Sequence, residues 1–201
     1  MLTKKHKLIL GISLITAILI FSGFKLATDW PENKDIRKME KRASKVWTPS
    51  QISLEKLTTL KFTSKSKHKS VYQISCEGQF LGYGYIARVF TCRPGGCSGN
   101  SSGQTGKGYE YFDYFMLLNK QLKVKHLEVL TYNATHGYEI TSKNWLKQFI
   151  GYKGKNSMNY GEDIHAISGA TISGNSITND VKNTISKLRK ALKKTNNKAF
   201  K

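Results

Sequence analysis

The sequence predicts an α+β fold, an antiparallel sheet packed with helices and preceded by one N-terminal transmembrane helix. Three observations lead there. Two pairs of aromatic and β-branched runs each flank a turn signal, an apolar stripe at helical spacing closes the chain, and a basic N-terminus precedes an uncharged apolar run.

The apolar run comes first. Lys4, Lys5 and Lys7 precede 17 uncharged residues, Leu8 to Phe24, close to the lower limit for a helix that spans a bilayer. The junction Ser22-Gly23-Phe24-Lys25-Leu26-Ala27 matches an Ala-x-Ala cleavage signal poorly. A retained anchor over residues 1–28 is therefore expected, with the leading lysines cytoplasmic and the rest of the chain outside, towards the periplasm or exterior. Residues 29–70 are expected to form a helical spacer or an entry element of the domain: Ile36, Met39, Ala43 and Val46 recur at helical spacing between Asp35 and Trp47, and Ile52 to Phe62 carries a second, weak apolar pattern.

Val71 to Cys76 and Phe80 to Phe90 read as strands around a Glu77-Gly78 turn. A Gly- and Ser-rich stretch over 92–108 reads as a long loop. Tyr109 to Leu118 and Leu122 to Tyr132 give a second hairpin. Thr141-Ser142 are placed to cap a helix with Trp145, Leu146, Phe149 and Ile150, stopped by Gly151. Ile177, Val181, Ile185, Leu188 and Leu192 form one apolar stripe with lysines opposite. The folded domain is expected over 71–192, with a basic tail at 193–201.

Charge narrows the partners. The chain has 33 Lys+Arg against 13 Asp+Glu, a formal net charge of +20. Such a surface favours anionic company, or it is a solvated lysine coat that keeps the protein in solution. An exported domain with no helix-turn-helix, RRM or zinc-finger pattern speaks against nucleic acid. Of the three cysteines, Cys92 and Cys97 flank a turn-rich Arg-Pro-Gly-Gly and form the local disulfide candidate in an oxidising compartment, leaving Cys76 over. No tight metal-ligand pair and no Cys-x-x-Cys-His occurs.

The chemistry concentrates before the last helix, in Asp163-Ile-His-Ala-Ile-Ser168-Gly169-Ala170-Thr171-Ile-Ser173. Small residues at 169 and 170 let a bulky group approach the backbone. A helix starting near Ser173 to Ser176 would aim free N–H groups and its positive end at Thr171, an arrangement suited to phosphate. The ordinary alternative, hydroxyls capping their own helix, stays open on local physics alone.

Ser168-Gly169-Ala170-Thr171 with Ser173 resembles the flavinylation motif of the FMN-binding domain family, which includes the covalent-FMN subunits of sodium-translocating NADH:quinone reductase and of the Rnf complex. Thr135-His136-Gly137-Tyr-Glu-Ile140 and the block from Lys143 to Gly151, with Gln-Phe-Ile-Gly, are similar to the family's upstream block, although Ala134-Thr135-His136 stands where the family has Glu-Thr-Pro. The resemblance implies FMN bound covalently through its phosphate to Thr171, with Ser168, Gly169, Ala170, Ser173, Asp163, Thr135, His136 and Gly137 around it. Asp163 would be recognised by the FMN transferase or would position the loop. The flavin does the redox chemistry, so no catalytic acid, base or nucleophile in the protein is implied. The expected function is a membrane-anchored, extracytoplasmic electron carrier, with the FMN transferase and an acidic membrane redox protein as partners. A polybasic non-flavin module at a membrane surface and a flavin-dependent reductase of an external substrate are the alternatives.

Overall fold

The computed structural model describes residues 30–48, 51–58, 68–91 and 109–199. The apolar run expected as an anchor and the Cys92–Cys97 pair lie outside these residues. From Asn33 onwards the chain forms one compact unit.

Its centre is a five-stranded antiparallel sheet in sequential order: β1 (Ser53–Lys56), β2 (Lys69–Cys76), β3 (Gln79–Phe90), β4 (Tyr111–Asn119) and β5 (Val124–Asn133). Both expected hairpins are present. Glu77 and Gly78 take left-handed φ values of 48° and 78°, the conformation that lets a two-residue turn follow the twist of its strands. At the second hairpin the Asn119 side chain accepts from the amides of Gln121 and Lys123, so one carboxamide replaces the missing ladder bonds. β1 is an element that the sequence did not mark: it pairs with β2 from Ser53↔Ser75 to Lys56↔Tyr72. The stretch expected as spacer thus supplies an edge strand and a helix.

That helix, α1 (Asn33–Trp47), buries Met39 and Ala43 completely. Strand alternation divides the sheet's side chains between two faces. Ile74, Ile86, Phe115 and Leu117 lie on the face that meets α1, where Arg42 reaches Glu128 of β5 at 2.7 Å. Tyr85, Ala87, Phe112, Tyr114, Met116 and Leu118 lie on the other face and join one core with Ile177, Val181, Ile185 and Leu188. The latter belong to α3 (Thr171–Ala199), a single helix that continues past Leu192.

Between sheet and α3 the chain is less regular than expected. A 3-10 turn (Tyr138–Thr141), a single α turn α2 (Lys143–Leu146) and a second 3-10 turn (Lys147–Phe149) replace one continuous helix. Ser142 stands at the cap of α2 but makes no side-chain capping bond. Trp145, Leu146 and Phe149 are buried where expected, while Ile150 is exposed, and Gly151 ends the segment at φ 93°. Among the described residues no helix is long and apolar enough to cross a membrane.

Candidate functional site

The site stands at one end of α3. This helix starts at Thr171, two residues before the expected start near Ser173. The Ala170 carbonyl accepts the first helical bond from the Gly174 amide at 2.8 Å. Thr171 is therefore the first helical residue, and the amides of Thr171, Ile172 and Ser173 have no acceptor within the helix. A helix of 29 residues lends that end its full positive pole. Thr171 is exposed, and its hydroxyl has no hydrogen-bond partner among the described residues. It does not cap its own helix.

Ser173 does something different from what its place in the motif suggests. It is 3% exposed, and its Oγ lies 2.7 Å from the Tyr132 hydroxyl. Tyr132 donates its own proton to the His136 carbonyl at 2.5 Å, so the Ser173 hydroxyl is the donor in the pair. Two hydrogen bonds thus tie the end of β5, the turn over 135–137 and the first turn of α3. Burial raises the pKa of Tyr132; the Ser173 bond lowers it, while Glu110 and Glu139 add to the rise. Tyr132 stays a neutral donor over the working range.

Gly137 closes the contact. At φ 91° an added Cβ would meet the Tyr132 hydroxyl at 2.8 Å, Ser173 Oγ at 3.1 Å and Ala170 Cα at 3.3 Å. The structure therefore brings Gly137, Ala170 and Ser173 into direct contact, with Thr171 beside them. Thr135 is fixed from the other side, its amide donating to Glu110 at 3.0 Å and its hydroxyl to the same oxygen. His136 is exposed and contributes its carbonyl. Ser168 and Gly169 are exposed, Gly169 at φ 76° with open space around its Cα.

The approach to Thr171 is held by residues that the motif does not contain. Trp145 Nε1 donates to the His165 carbonyl at 2.8 Å, and the His165 amide donates to Gln148 at 2.8 Å. The Tyr160 hydroxyl accepts from the Ile167 amide at 2.7 Å. The Tyr160 ring also fills the place a side chain at Gly174 would need, 2.2 Å from a built Cβ. Three side chains thus bond the backbone of His165 and Ile167, which leaves Ser168 to Ala170 as a short presented turn. Asp163 accepts from the Asn159 amide at 2.9 Å and from Ser157 at 3.3 Å; its bonds shape the 157–163 loop, not the Thr171 turn. Of the residues missed by sequence reasoning, only Gln148 carried a signal, in Gln-Phe-Ile-Gly. Tyr132, Trp145 and Tyr160 look like ordinary core aromatics.

An anionic group fits here, against an exposed hydroxyl, free first-turn amides and an open glycine. Beside the turns, Tyr138 is 68% exposed and Ile172 45% exposed. Among the described residues no three His, Cys, Asp or Glu side chains are placed to hold a metal ion.

The family model described as FMN-binding domain matches residues 108–186, from the end of the Gly/Ser-rich stretch of the sequence through the first half of α3. No curated protein matches the chain. The match supports FMN as the cofactor and a flavin-binding role in electron transfer.

Proposed function

We propose that residues 108–186, a segment of the FMN-binding domain family, carry FMN in phosphoester linkage to the Thr171 hydroxyl. The observation that carries this reading is the exposed Thr171 at the first position of a long helix, its hydroxyl without a hydrogen-bond partner among the described residues. Joined there, a phosphate would be held by the amides of residues 171–173 and the positive helix end. Tyr132, Ser173 and Gly137 hold the 135–137 turn beside it, and Trp145, Gln148 and Tyr160 hold the approaching backbone. Bound FMN supplies the redox chemistry, and the chain supplies attachment, orientation and a stable position.

On this reading the protein is an electron-transfer flavoprotein, anchored by its N-terminal apolar run with the domain outside the cytoplasm. Its partners are the FMN transferase that installs the group and a membrane redox protein that approaches the Thr171 end. Co-expression with an FMN transferase tests the linkage. Wild-type protein should fluoresce as a flavin in a denaturing gel, and Thr171→Ala should not. Persisting fluorescence in the Ala variant would place the linkage elsewhere.

A further inference from the structure

The domain has two poles, and exposed lysines crowd one of them. Ser173 meets Tyr132 near the end of β5, Asp180 meets Tyr85 and Tyr114 at mid-sheet, and Ile185 meets Gly154. The 151–152 backbone in turn pairs with Val124 at the start of β5. So α3 runs the length of the sheet, from the Thr171 turn to the tips of the β2–β3 and β4–β5 hairpins.

The second pole is basic. Arg189 holds the carbonyls of Lys153 and Gly154, which brings the exposed Lys153 and Lys155 beside the end of α3. Lys123, also exposed, lies against Gly151. On α3 itself Lys187, Lys190, Lys193 and Lys194 are exposed, and from Val181 to Ala199 the helix has no acidic residue. Asp163 of the 157–163 loop acts on Tyr152 together with Arg189, and Glu162 of the same loop bonds Asn159, which also takes Lys182. At the Thr171 pole Glu110 and Glu139 both act on Tyr132.

We propose that the basic pole docks on anionic phospholipid headgroups, with the Thr171 end pointing away from the bilayer. At 1.5 Å rise per residue, Lys187 to Lys194 lie roughly 24–35 Å along α3 from Thr171. An acidic redox protein seated on these lysines would stand that far from the reactive end, so the charge there does not serve electron delivery. A headgroup layer needs no specific geometry, only a dense cationic face brought close. The apolar run that follows Lys4, Lys5 and Lys7 supplies that closeness if it anchors the chain. The choice of lipid over an acidic redox protein rests on the reading of Thr171 as the reactive end, but docking is measured without flavin, so failure of the docking and failure of the linkage are told apart.

The test uses the full chain without flavin, reconstituted into nanodiscs of phosphatidylcholine alone or mixed with phosphatidylglycerol, and followed by amide hydrogen exchange. Residues 152–155 and 186–194 should gain protection in the anionic discs only, and lose it at high salt, where screening shortens the reach of each charge. Each neutralised lysine should lower the docked-to-free ratio about fivefold, and K187E/K190E/K193E/K194E should abolish the protection. These positions are exposed, so the variant keeps the fold, which circular dichroism checks. Protection independent of lipid charge, or confined to residues 168–173, would overturn the proposal. So would polyglutamate in neutral discs protecting the pole as well as anionic lipid does, since that outcome assigns the face to an acidic protein.

Discussion

Replacing Gly137 by alanine tests how the two halves of the site are held together. The backbone there sits at φ 91°, and the new methyl would lie 2.8 Å from the Tyr132 hydroxyl and 3.1 Å from Ser173 Oγ. Two costs add. Holding an alanine in the left-handed region costs about 1–2 kcal/mol, and forcing a methyl into a filled space costs about 1–3 kcal/mol. Gly161 separates them, because it has the same φ of 91° but nothing within 4 Å of its built Cβ. Gly161→Ala should therefore lose only the conformational part, about 1–2 kcal/mol, in urea denaturation. Gly137→Ala should lose about 2–5 kcal/mol in all, and should also break the Tyr132–Ser173 bond as the turn moves off α3. Loss of that bond is read from tyrosine ionisation and from the amide shifts of residues 171–173. Equal losses at the two glycines, with unchanged shifts at 171–173, would refute the packing argument.

Three further outcomes follow from buried charge and from the attachment turn. Burial raises the pKa of Glu128, but bonds from His126, Arg42 and Lys38 outweigh it and hold the carboxyl below its ordinary range. A lowered folded pKa means stability that is fully present above the unfolded value of about 4.3 and fades as pH falls through the folded one. Glu128→Gln should thus cost about 1–3 kcal/mol at pH 7, with the gap to wild type closing in strong acid, as measured by denaturation across pH. Asp180 accepts from Tyr85 at 3.0 Å, from Tyr114 at 2.8 Å and from Lys69. Asp180→Ala should cost about 3–5 kcal/mol, whereas Asp180→Asn removes the negative charge that, after burial, raises both tyrosine pKa values. Spectrophotometric titration of the Asn variant should find Tyr85 and Tyr114 ionising at lower pH than in wild type. Ser173→Ala should leave Thr171 available for modification but loosen the bound flavin, seen as lower fluorescence anisotropy.

How much of this was legible in the sequence follows from how local each signal is. The hairpins could be read because Glu77-Gly78 and Asn119-Lys120-Gln121 are turn chemistry flanked by alternating apolar residues. The long helix could be read because Ile177, Val181, Ile185 and Leu188 repeat one stripe. Its start was misplaced because Ser173 and Ser176 look like caps, while the Ser173 hydroxyl is used by Tyr132, 41 positions away. β1 escaped because Ser53–Lys56 is short and Leu54 alone is half-buried; pairing with β2 makes it a strand. The motif marked Thr171 and Ser168 to Ala170, but not what holds them. Trp145, Gln148 and Tyr160 act across 17 or 20 positions, or around a turn, and only the folded chain shows that their partners are the backbone of His165 and Ile167. Asp163, equally part of the motif, turned out to serve its own loop.

The central claim is a covalent bond between FMN and one threonine. Intact-mass measurement of the full chain, co-expressed with an FMN transferase and denatured before analysis, tests it most directly. The expected result is a gain of one FMN less one water, with the added mass mapping to the peptide that contains Thr171. A chain that keeps its unmodified mass after loading, or whose added mass maps to another residue, would contradict it.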